Sequence, residues 1–349
     1  MSINIGICGF GKMGQIRADA IAEHGGNLVV SKIFDEALRA DSPYPAAASV
    51  DEIVNDPDID AVILCLPNFL NYPTTLTALK AGKHVFCEKP PAFTAAEVEE
   101  IRAVERAAGK ILMYGFNHRH HDAVVEMHKQ IAQGEHGRML WMRGRYGKSV
   151  DADFLNTWRA DPELAGGGIL LDQGIHMLDL MLFLSGKPFD EVNAMVSNLY
   201  WKTPGIEDNV FAIFRNSGTG LCASIHSTMT QWRHLFSLEV FLERGYMVLN
   251  GLKTSSGTYG EEILTIAKNR ARAPAATWDD EERYQFEVDT SWGREIEHFA
   301  ACIATGAPVE YGSSRHALEV MQLVDRIYAH ERHIGDNLHT DLGGGARSG

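Results

Sequence analysis

Cysteine is scarce in this 349-residue sequence and is not arranged in pairs. The five cysteines are odd in number, include no Cys-x-x-Cys pair, and stand at Cys8, Cys65, Cys87, Cys222 and Cys302. The first three fall in apolar runs typical of central strands. This pattern argues against a disulfide framework and a cysteine-based zinc site, and it indicates reduced core residues in a cytoplasmic protein.

Positive charge is also in short supply. The chain has 32 basic and 46 acidic residues and a net charge of −14, so neither nucleic acid nor an anionic membrane is an expected partner. No membrane span is predicted, because the longest apolar helix candidate is interrupted by Asp172, His176 and Asp179. The amino terminus lacks the charged and apolar segments of a signal peptide, which again predicts a cytoplasmic location.

The chain has no recognisable metal-binding pattern either. The histidine-rich segment at residues 117–121 suits no standard zinc spacing, and in a chain with 15 histidines some cluster by chance. We therefore predict that no metal is bound.

The clearest motif follows the first apolar strand and reads Gly9-Phe10-Gly11-Lys12-Met13-Gly14. Glycines at this spacing permit a tight turn, close approach of a pyrophosphate to a helix amino end, and close packing of helix on strand. A second apolar strand ends in Asp35, whose carboxylate suits the ribose hydroxyls of NAD and would repel the 2′-phosphate of NADP. The sequence therefore predicts NAD as the cofactor, in preference to NADP.

A lysine at the end of a buried strand is the second informative feature. Lys89 follows the apolar run 84–88 and is itself followed by Pro90 and Pro91. Open α/β sheets bind ligands at the carboxyl ends of their strands, and a buried ammonium group is costly without a partner or a role. Lys89 is thus a candidate site residue, although a lysine that simply reaches water fits the same pattern.

The third feature is an apolar helical stretch at residues 165–184. Asp172, His176 and Asp179 recur at helical spacing, so they share one stripe of an otherwise buried helix. One interpretation is a purely structural cluster in which His176 bonds one of the two carboxylates. The other is a base, His176, that is oriented by Asp172 and faces the same cleft as Lys89.

The spacing of apolar residues along the chain predicts two kinds of sheet. Strands at 3–8, 28–34, 60–66, 84–88 and 111–115 alternate with helices, which indicates a parallel, doubly wound sheet. From residue 138 the period becomes two, notably at 209–215, 221–230 and 236–249, which indicates a large, open, mostly antiparallel sheet. Later helices are expected near 122–134, 291–304 and 313–332. The predicted fold class is α/β, with a dinucleotide-binding domain over 1–120, an α+β substrate and oligomerisation domain over 121–335, and a mobile tail over 336–349.

Together the motifs resemble the glucose-fructose oxidoreductase and inositol dehydrogenase family, the Gfo/Idh/MocA group. The resemblance spans roughly residues 3 to 330 and rests on the glycine motif, Glu88-Lys89-Pro90, Trp158-Arg159, Gly166-Gly167-Gly168 and Asp172-x-x-x-His176. It implies a Rossmann domain followed by an open antiparallel sheet, and NAD(P)-dependent oxidation or reduction of a sugar, polyol or similar carbonyl compound. One departure is Asn71, which stands where family members often carry a histidine and receives no catalytic role.

The resemblance and the strand ends together define the candidate site. Lys89, Asp172 and His176 are the catalytic candidates. Cofactor contacts are predicted for Gly9, Phe10, Gly11, Lys12, Met13, Gly14, Asp35, Leu66, Pro67, Asn68, Glu88 and Lys89. A carbohydrate or nucleotide-linked sugar is predicted to contact Lys89, Arg119, Tyr146, Trp158, Arg159, Asp172, Gln173 and His176. For Trp158, core packing remains an equal alternative.

His176 is the predicted acid/base. Histidine has an ordinary pKa of about 6.5, whereas lysine at about 10.4 would need a shift of several units. Charged Lys89 would then stabilise the developing alkoxide, a contribution of about 3 kcal/mol. The two roles can be inverted, because desolvation and a nicotinamide cation both lower a lysine pKa.

Other readings of function and assembly follow from the same pattern. One is a glycosidase that oxidises its sugar transiently with tightly held NAD, and another is a non-catalytic dinucleotide-sensing regulator. One face of the open sheet is not covered by helices, and large exposed apolar surfaces are rare on monomers. We therefore expect a homodimer or homotetramer that forms through this sheet.

Overall fold

The computed structural model describes residues 2–37, 42–254, 256–270, 272 and 276–342, with the backbone alone for 331–342. The first part of the chain forms a five-stranded sheet in the order β2-β1-β3-β4-β5, with every neighbouring pair parallel. Its strands are β1 Ile3–Cys8, β2 Leu28–Phe34, β3 Ala61–Leu64, β4 His84–Cys87 and β5 Leu112–Tyr114. This confirms the predicted parallel, doubly wound sheet.

Four helices connect these strands: α1 Lys12–His24, α2 Val50–Asn55, α3 Asn68–Lys80 and α4 Ala95–Ala108. Local sequence sets the ends of α4, because Thr94 and Glu97 form a reciprocal capping box and Gly109 ends the helix with a φ of 62°. The strand order reverses between β1 and β3, so their carboxyl ends border the crevice where such sheets bind ligands.

The rest of the chain builds an eight-stranded sheet in the order β13-β12-β11-β10-β6-β9-β8-β7. Its strands are β6 Met139–Ser149, β7 Glu191–Ser197, β8 Asn209–Arg215, β9 Cys222–Thr228, β10 Thr230–Leu242, β11 Gly245–Asn250, β12 Glu262–Lys268 and β13 Glu282–Phe286. Only the β6–β9 pair is parallel. The predicted open antiparallel sheet is confirmed, but the segment 236–249 is a hairpin rather than one alternating strand, since Leu242 pairs with Gly245 across a tight turn.

Five further helices complete the fold: α5 Asp122–Gln133, α6 Pro162–Ala165, α7 Ile175–Ser185, α8 Ser291–Thr305 and α9 Ser314–Leu342. α7 and α9 pack on one face of the large sheet. α8 returns to the first sheet, where Phe299 lies edge-on to Phe86 with ring centroids 5.6 Å apart. The final helix runs past the predicted end at residue 332, and the part of the predicted mobile tail from 343 onward lies outside the described residues.

The apolar stretch that contains α6 and α7 needs a correction. Pro162–Ser185 is long and apolar enough to cross a membrane by length and composition, contrary to the prediction. However, 78% of its most apolar window is buried inside the molecule. The apolar side chains of this stretch therefore form the protein's own core.

Candidate active site

The glycine-rich turn between β1 and α1 has the shape of an anion cradle. A Cβ at Gly9, where φ is +89°, would lie 2.3 Å from the Cys65 carbonyl oxygen, and one at Gly14 would lie 2.1 Å from the Gly9 oxygen. A Cβ at Gly11 would meet no atom within 4 Å. Packing therefore requires glycine at positions 9 and 14, whereas Gly11 borders open space. α1 starts there without a side-chain cap or an acidic residue in its first turn, which favours an anionic ligand.

Asp35 lies beside this turn, as the sequence predicted. Its carboxylate accepts hydrogen bonds from the backbone N–H groups of Phe10, at 2.6 Å, and Ala37, at 2.9 Å. A carboxylate fixed at the end of β2 is what a ribose diol requires. Lys12 and Met13 begin α1, and Leu66 and Pro67 lead from β3 into α3, at the same edge of the sheet. The turn, the carboxylate and the strand ends therefore fit a dinucleotide.

Glu88, predicted to contact the cofactor, has a different structural role. It is buried, and its Oε1 accepts a hydrogen bond from Arg17 Nε at 2.7 Å. Arg17 also donates to Glu295 on α8 at 2.7 Å and is itself fully buried. A buried guanidinium needs both carboxylates, so Glu88 ties β4 to α1 and α8 rather than facing the cleft.

Asn71, at the position of the missing histidine, holds the loop that carries Lys89. Its side-chain amide donates to the backbone carbonyl groups of Pro90, at 2.8 Å, and Glu88, at 3.3 Å. Lys89 then extends towards the second part of the chain and donates a hydrogen bond to the backbone carbonyl of Asp172. Burial lowers the pKa of Lys89, and the Asp172 carboxylate opposes part of that effect.

Asp172 lies in a single π-helical turn, Leu170–Gly174, that leads into α7. Its carboxylate is surrounded by cations: Lys148 Nζ at 2.6 Å, Lys89 Nζ at 3.7 Å and Arg159 Nε at 3.8 Å. Burial alone would raise the pKa of Asp172, but the charges of Lys148, Lys89 and Arg159 outweigh it and hold that pKa well below its usual value. Lys148 was not predicted, although it follows Tyr146 by two residues on the same face of β6.

His176 does not have the partner that the sequence predicted. Among the described residues no hydrogen bond joins it to Asp172, whose carboxylate is held by Lys148 instead. The His176 ring stacks on the ring of His118, with centroids 3.9 Å apart and planes 14° from parallel. His118 is fixed in turn by hydrogen bonds to Asn117 Oδ1, at 3.0 Å, and to the Tyr146 hydroxyl, at 2.9 Å.

The environment of His176 keeps its ring neutral. Burial lowers its pKa well below 6.5, and the positive charge of Lys89 lowers it further. Its Nδ1 is buried and has no hydrogen-bond partner within the described part of the chain. The neutral ring therefore has one nitrogen without a proton, and the Lys89 charge is close enough to affect the ring pKa.

Two of the predicted substrate contacts, Arg119 and Tyr146, lie in the core with hydrogen bonds to other side chains. Both nitrogens that Arg119 uses as donors bind the Asp179 carboxylate, at 2.8 and 2.6 Å, and the pair is buried. Tyr146 is also buried, with its hydroxyl on His118. The sequence pattern could not show these buried hydrogen bonds. Arg119 Nη1 is also buried but has no hydrogen-bond partner among the described residues.

Of the other predicted substrate contacts, Trp158, Arg159 and Asp172 line a small pocket. The Arg159 guanidinium lies over the Trp158 ring, 4.3 Å from its centroid. Gln173 donates to the Asp172 carboxylate at 3.5 Å, and Asn68 bridges to the Ala165 carbonyl at 2.8 Å. The pocket is lined by Asn68, Phe154, Trp158, Arg159, Ala165, Gly167, Gly168, Asp172 and Met229. A roomier cavity of about 660 Å³ lies beyond Gly167, and neither Lys89 nor His176 lines that cavity or the small pocket.

No group of three or more His, Cys, Asp or Glu side chains within the described ranges could hold a metal ion. Two of the buried histidines form contacts with other side chains. His121 Nδ1 lies 2.8 Å from Glu262 Oε2, and His118 forms hydrogen bonds with Asn117 and Tyr146.

Comparison with known proteins supports the same assignment of fold and cofactor. A family model described as an oxidoreductase family with an NAD-binding Rossmann fold matches residues 3–116, and a GFO/IDH/MocA C-terminal domain model matches residues 124–248. A 1,5-anhydro-D-fructose reductase from Ensifer adhaerens is 35% identical over 66% of this chain and 68% of its own length. A levoglucosan dehydrogenase from Pseudarthrobacter phenanthrenivorans is 32% identical over 56% of this chain, and that alignment spans 54% of the relative.

Solved structures share the fold over almost the whole chain. A levoglucosan dehydrogenase in complex with NADH and levoglucosan superposes with a TM-score of 0.82 and 24% identity, covering 95% of this chain and 98% of that one. The parallel sheet, the large open sheet and their order are therefore common to both proteins.

Proposed function

Because the chain belongs to the Gfo/Idh/MocA family of NAD-binding sugar oxidoreductases, we propose that it transfers a hydride between NAD and a hydroxyl-bearing carbon of a sugar, polyol or nucleotide-linked sugar. The observation that carries this proposal is the contact between Lys89, which follows β4, and Asp172, in the turn before α7, close enough to His176 for the Lys89 charge to lower the pKa of that ring. NAD accepts or supplies the hydride when it is bound. The glycine turn at 9–14 and Asp35 would hold its pyrophosphate and ribose.

In the oxidative direction His176 accepts the proton of the reacting hydroxyl. A base must be unprotonated before the reaction, and burial together with the Lys89 charge keeps this imidazole neutral. Lys89 donates to the same oxygen and stabilises the negative charge that develops there, a contribution of about 3 kcal/mol. Asp172 sets the position of Lys89 through its backbone carbonyl and offsets part of its charge.

His118 takes the orienting role that the sequence gave to Asp172. Two hydrogen bonds fix the His118 ring, and its flat face restricts rotation of the stacked His176 ring. This leaves Asp172 to organise the three cations around the pocket.

The residues that line the pocket have the chemistry that a sugar requires, but the pocket holds only about 10 Å³ in this structure and must widen to admit a pyranose ring. Trp158, Phe154 and Met229 supply an apolar wall, while Arg159, Asp172 and Asn68 supply hydrogen-bonding groups. The two named relatives act on cyclic sugar derivatives, 1,5-anhydro-D-fructose and levoglucosan. We assign the same substrate class to this chain.

A spectrophotometric screen tests the proposed activity. Hexoses, inositols, anhydrosugars and sugar nucleotides would each be offered with NAD and with NADP, and ethanol would serve as the control. We expect NADH from at least one cyclic polyhydroxy compound and none from ethanol. A chain that binds NADH yet oxidises or reduces none of these compounds would contradict the proposal. Release of free sugar from a glycoside without net NADH would point to the transient-oxidation mechanism instead.

The outer face of the large sheet supports the proposed oligomer. Met195, Phe211 and Ile213 lie on neighbouring strands β7 and β8 and are half or more exposed in the single chain. Contiguous apolar surface of this kind is rare on monomers. We place the assembly in the cytoplasm, where its five cysteines, all free, stay reduced.

A further inference from the structure

A second cluster of aromatic side chains lies beside the catalytic pocket and has no role in the mechanism above. Trp232, on β10, is 65% exposed, and Tyr200, in the loop after β7, is 58% exposed. Their rings contact each other edge to face, with centroids 5.0 Å apart, and Trp201 extends the cluster at 5.1 Å from Tyr200. Rings of this size are normally buried, so their exposure calls for an explanation.

The cluster is rigidly held. Asp208 is fully buried, and its carboxylate accepts hydrogen bonds from the backbone N–H groups of Leu199, Tyr200 and Trp201 at 2.7 to 3.0 Å. The next residue, Lys202, has a φ of 55°, a conformation that is unfavourable for a side chain other than glycine. A strained loop fixed by a buried carboxylate presents the aromatic faces at a defined position.

The cluster is continuous with the pocket. The Trp201 indole N–H donates to the backbone carbonyl of Met229 at 3.1 Å, and Met229 lines the pocket together with Asp172 and Arg159. Trp232 follows Met229 by three residues, with a bend at Met229 and a register irregularity between Thr230 and Leu235, so the chain separates them by at most about 10 Å. A molecule of two linked sugar rings can therefore reach from Asp172 to Trp232.

We propose that Tyr200, Trp201 and Trp232 form a second sugar subsite, and that the substrate is a disaccharide or glycoside whose second ring stacks on them. The proposal rests on the proposed function and narrows its substrate class. The C–H face of a pyranose is apolar and flat, so it packs on an aromatic ring while its hydroxyl groups remain at the rim. Asn198, Lys202 and Arg233 border the cluster in the sequence and supply polar groups there.

Binding to the full-length, NADH-loaded protein tests the subsite without requiring turnover. Isothermal titration would compare D-glucose with cellobiose, maltose, lactose and sucrose. We expect at least one disaccharide to bind about tenfold more tightly than glucose, because stacking of one ring contributes roughly 1.4 kcal/mol. Trp232→Ala should remove this advantage, and Trp232→Phe should retain most of it.

Trp278→Ala is the matched control. Trp278 is 79% exposed and precedes the edge strand β13, which β12 and β11 separate from β10. This variant should keep the full preference for the disaccharide.

Three outcomes would overturn the subsite: no disaccharide preference in the parent protein, an unchanged preference in Trp232→Ala, or a change of oligomeric mass in that variant. The last result would make the cluster a contact between chains. Turnover separates the two proposals. NADH formation without a disaccharide preference overturns the subsite alone, whereas disaccharide binding without NADH formation with any sugar overturns the proposed activity alone.

Discussion

At the residue scale, the protonation of His176 and Lys89 depends on where they are buried. The His176 ring lies against His118 in the core, where burial lowers its pKa most and the Lys89 charge lowers it further. Desolvation disfavours the charged form of both side chains, and the lysine charge further disfavours imidazolium. The pair therefore combines a neutral acceptor with an ammonium donor.

This arrangement predicts an unusual pH profile for sugar oxidation. Because the pKa of His176 is lowered well below 6.5, its neutral form persists as the pH falls through 6.5. We expect kcat/KM to stay level on that side of neutrality and to fall only at lower pH. The measurement is kcat/KM from about pH 5 to 8, with NADH affinity determined over the same range. An acid limb centred at or above the ordinary histidine pKa would contradict the assignment.

His118 should influence this profile through its contact with His176. His118→Ala opens a space that admits water, so the pKa of His176 rises towards its ordinary value and an acid limb develops near pH 6.5. kcat should fall about tenfold or more because the catalytic ring becomes mobile. His118→Phe keeps the stacked ring but loses the bonds to Asn117 and Tyr146, so it should lower kcat without creating the acid limb.

Both His118 variants should bind NADH as the parent protein does, because His118 lies away from the glycine turn. Wild-type kcat and an unchanged pH profile in both variants would show that the stacking has no functional effect.

The sequence predicted a site at Lys89, Asp172 and His176 but did not predict all of the side chains that contact these residues. The motifs place these residues on strand ends and on one helix, and the fold brings them together as expected. His118 lies in a histidine run whose ring packing cannot be deduced from spacing. Lys148 could have been predicted, since the alternation in β6 puts it on the face of Tyr146.

At the scale of single elements, two glycines of the turn before α1 have different roles, one in packing and one in cofactor binding. Gly14 faces the backbone of Gly9, whereas Gly11 faces open space at the start of α1. The same short motif therefore contains one glycine that the fold requires and one that only a ligand would require.

Alanine substitutions at these two glycines should have opposite effects. Gly11→Ala should change the free energy of unfolding by no more than about 0.5 kcal/mol yet weaken NADH binding about tenfold or more, because its methyl group occupies the space for the pyrophosphate. Gly14→Ala, whose Cβ would lie 2.1 Å from a backbone oxygen, should destabilise the fold by about 1 to 3 kcal/mol. Urea unfolding and NADH fluorescence titration provide the two measurements. Unimpaired NADH binding by Gly11→Ala would contradict the cradle.

The sequence predicted the bounds of those elements that have a clear apolar run and a distinct residue at each end. The bounds of β1, α1 and β2 agree with the sequence pattern because each has an apolar run and a glycine or charged residue at its end. β7, β12 and β13 were missed, since β13 is mostly polar and exposed and is held by pairing with β12. Such edge strands depend on neighbours that are distant in sequence.

At the scale of the whole molecule, the large sheet has one face covered by helices and one face bare. The covered face packs against α7 and α9 and contains the pocket, while Met195, Phe211 and Ile213 lie on the bare face. An interface there would leave the two ligand sites accessible on the other side.

Ile213→Glu should dissociate the oligomer. The new carboxylates would be buried without partners in a symmetric interface, a cost of several kcal/mol per contact. Multi-angle light scattering after size exclusion should show a dimer or tetramer for the parent protein and a smaller species for this variant. Val288→Glu, at a position that is 66% exposed outside the strands, is the control and should keep the parental mass. A parent protein that is monomeric at micromolar concentration would contradict the prediction.

The most direct test of the catalytic assignment compares turnover and cofactor binding in Lys89→Ala and His176→Ala, with the exposed Lys80→Ala as control. Each catalytic variant should lose about a hundredfold or more in kcat for the best sugar found in the screen, while NADH affinity stays within about twofold of the parent protein. Parental turnover in either variant would contradict the role assigned to that residue.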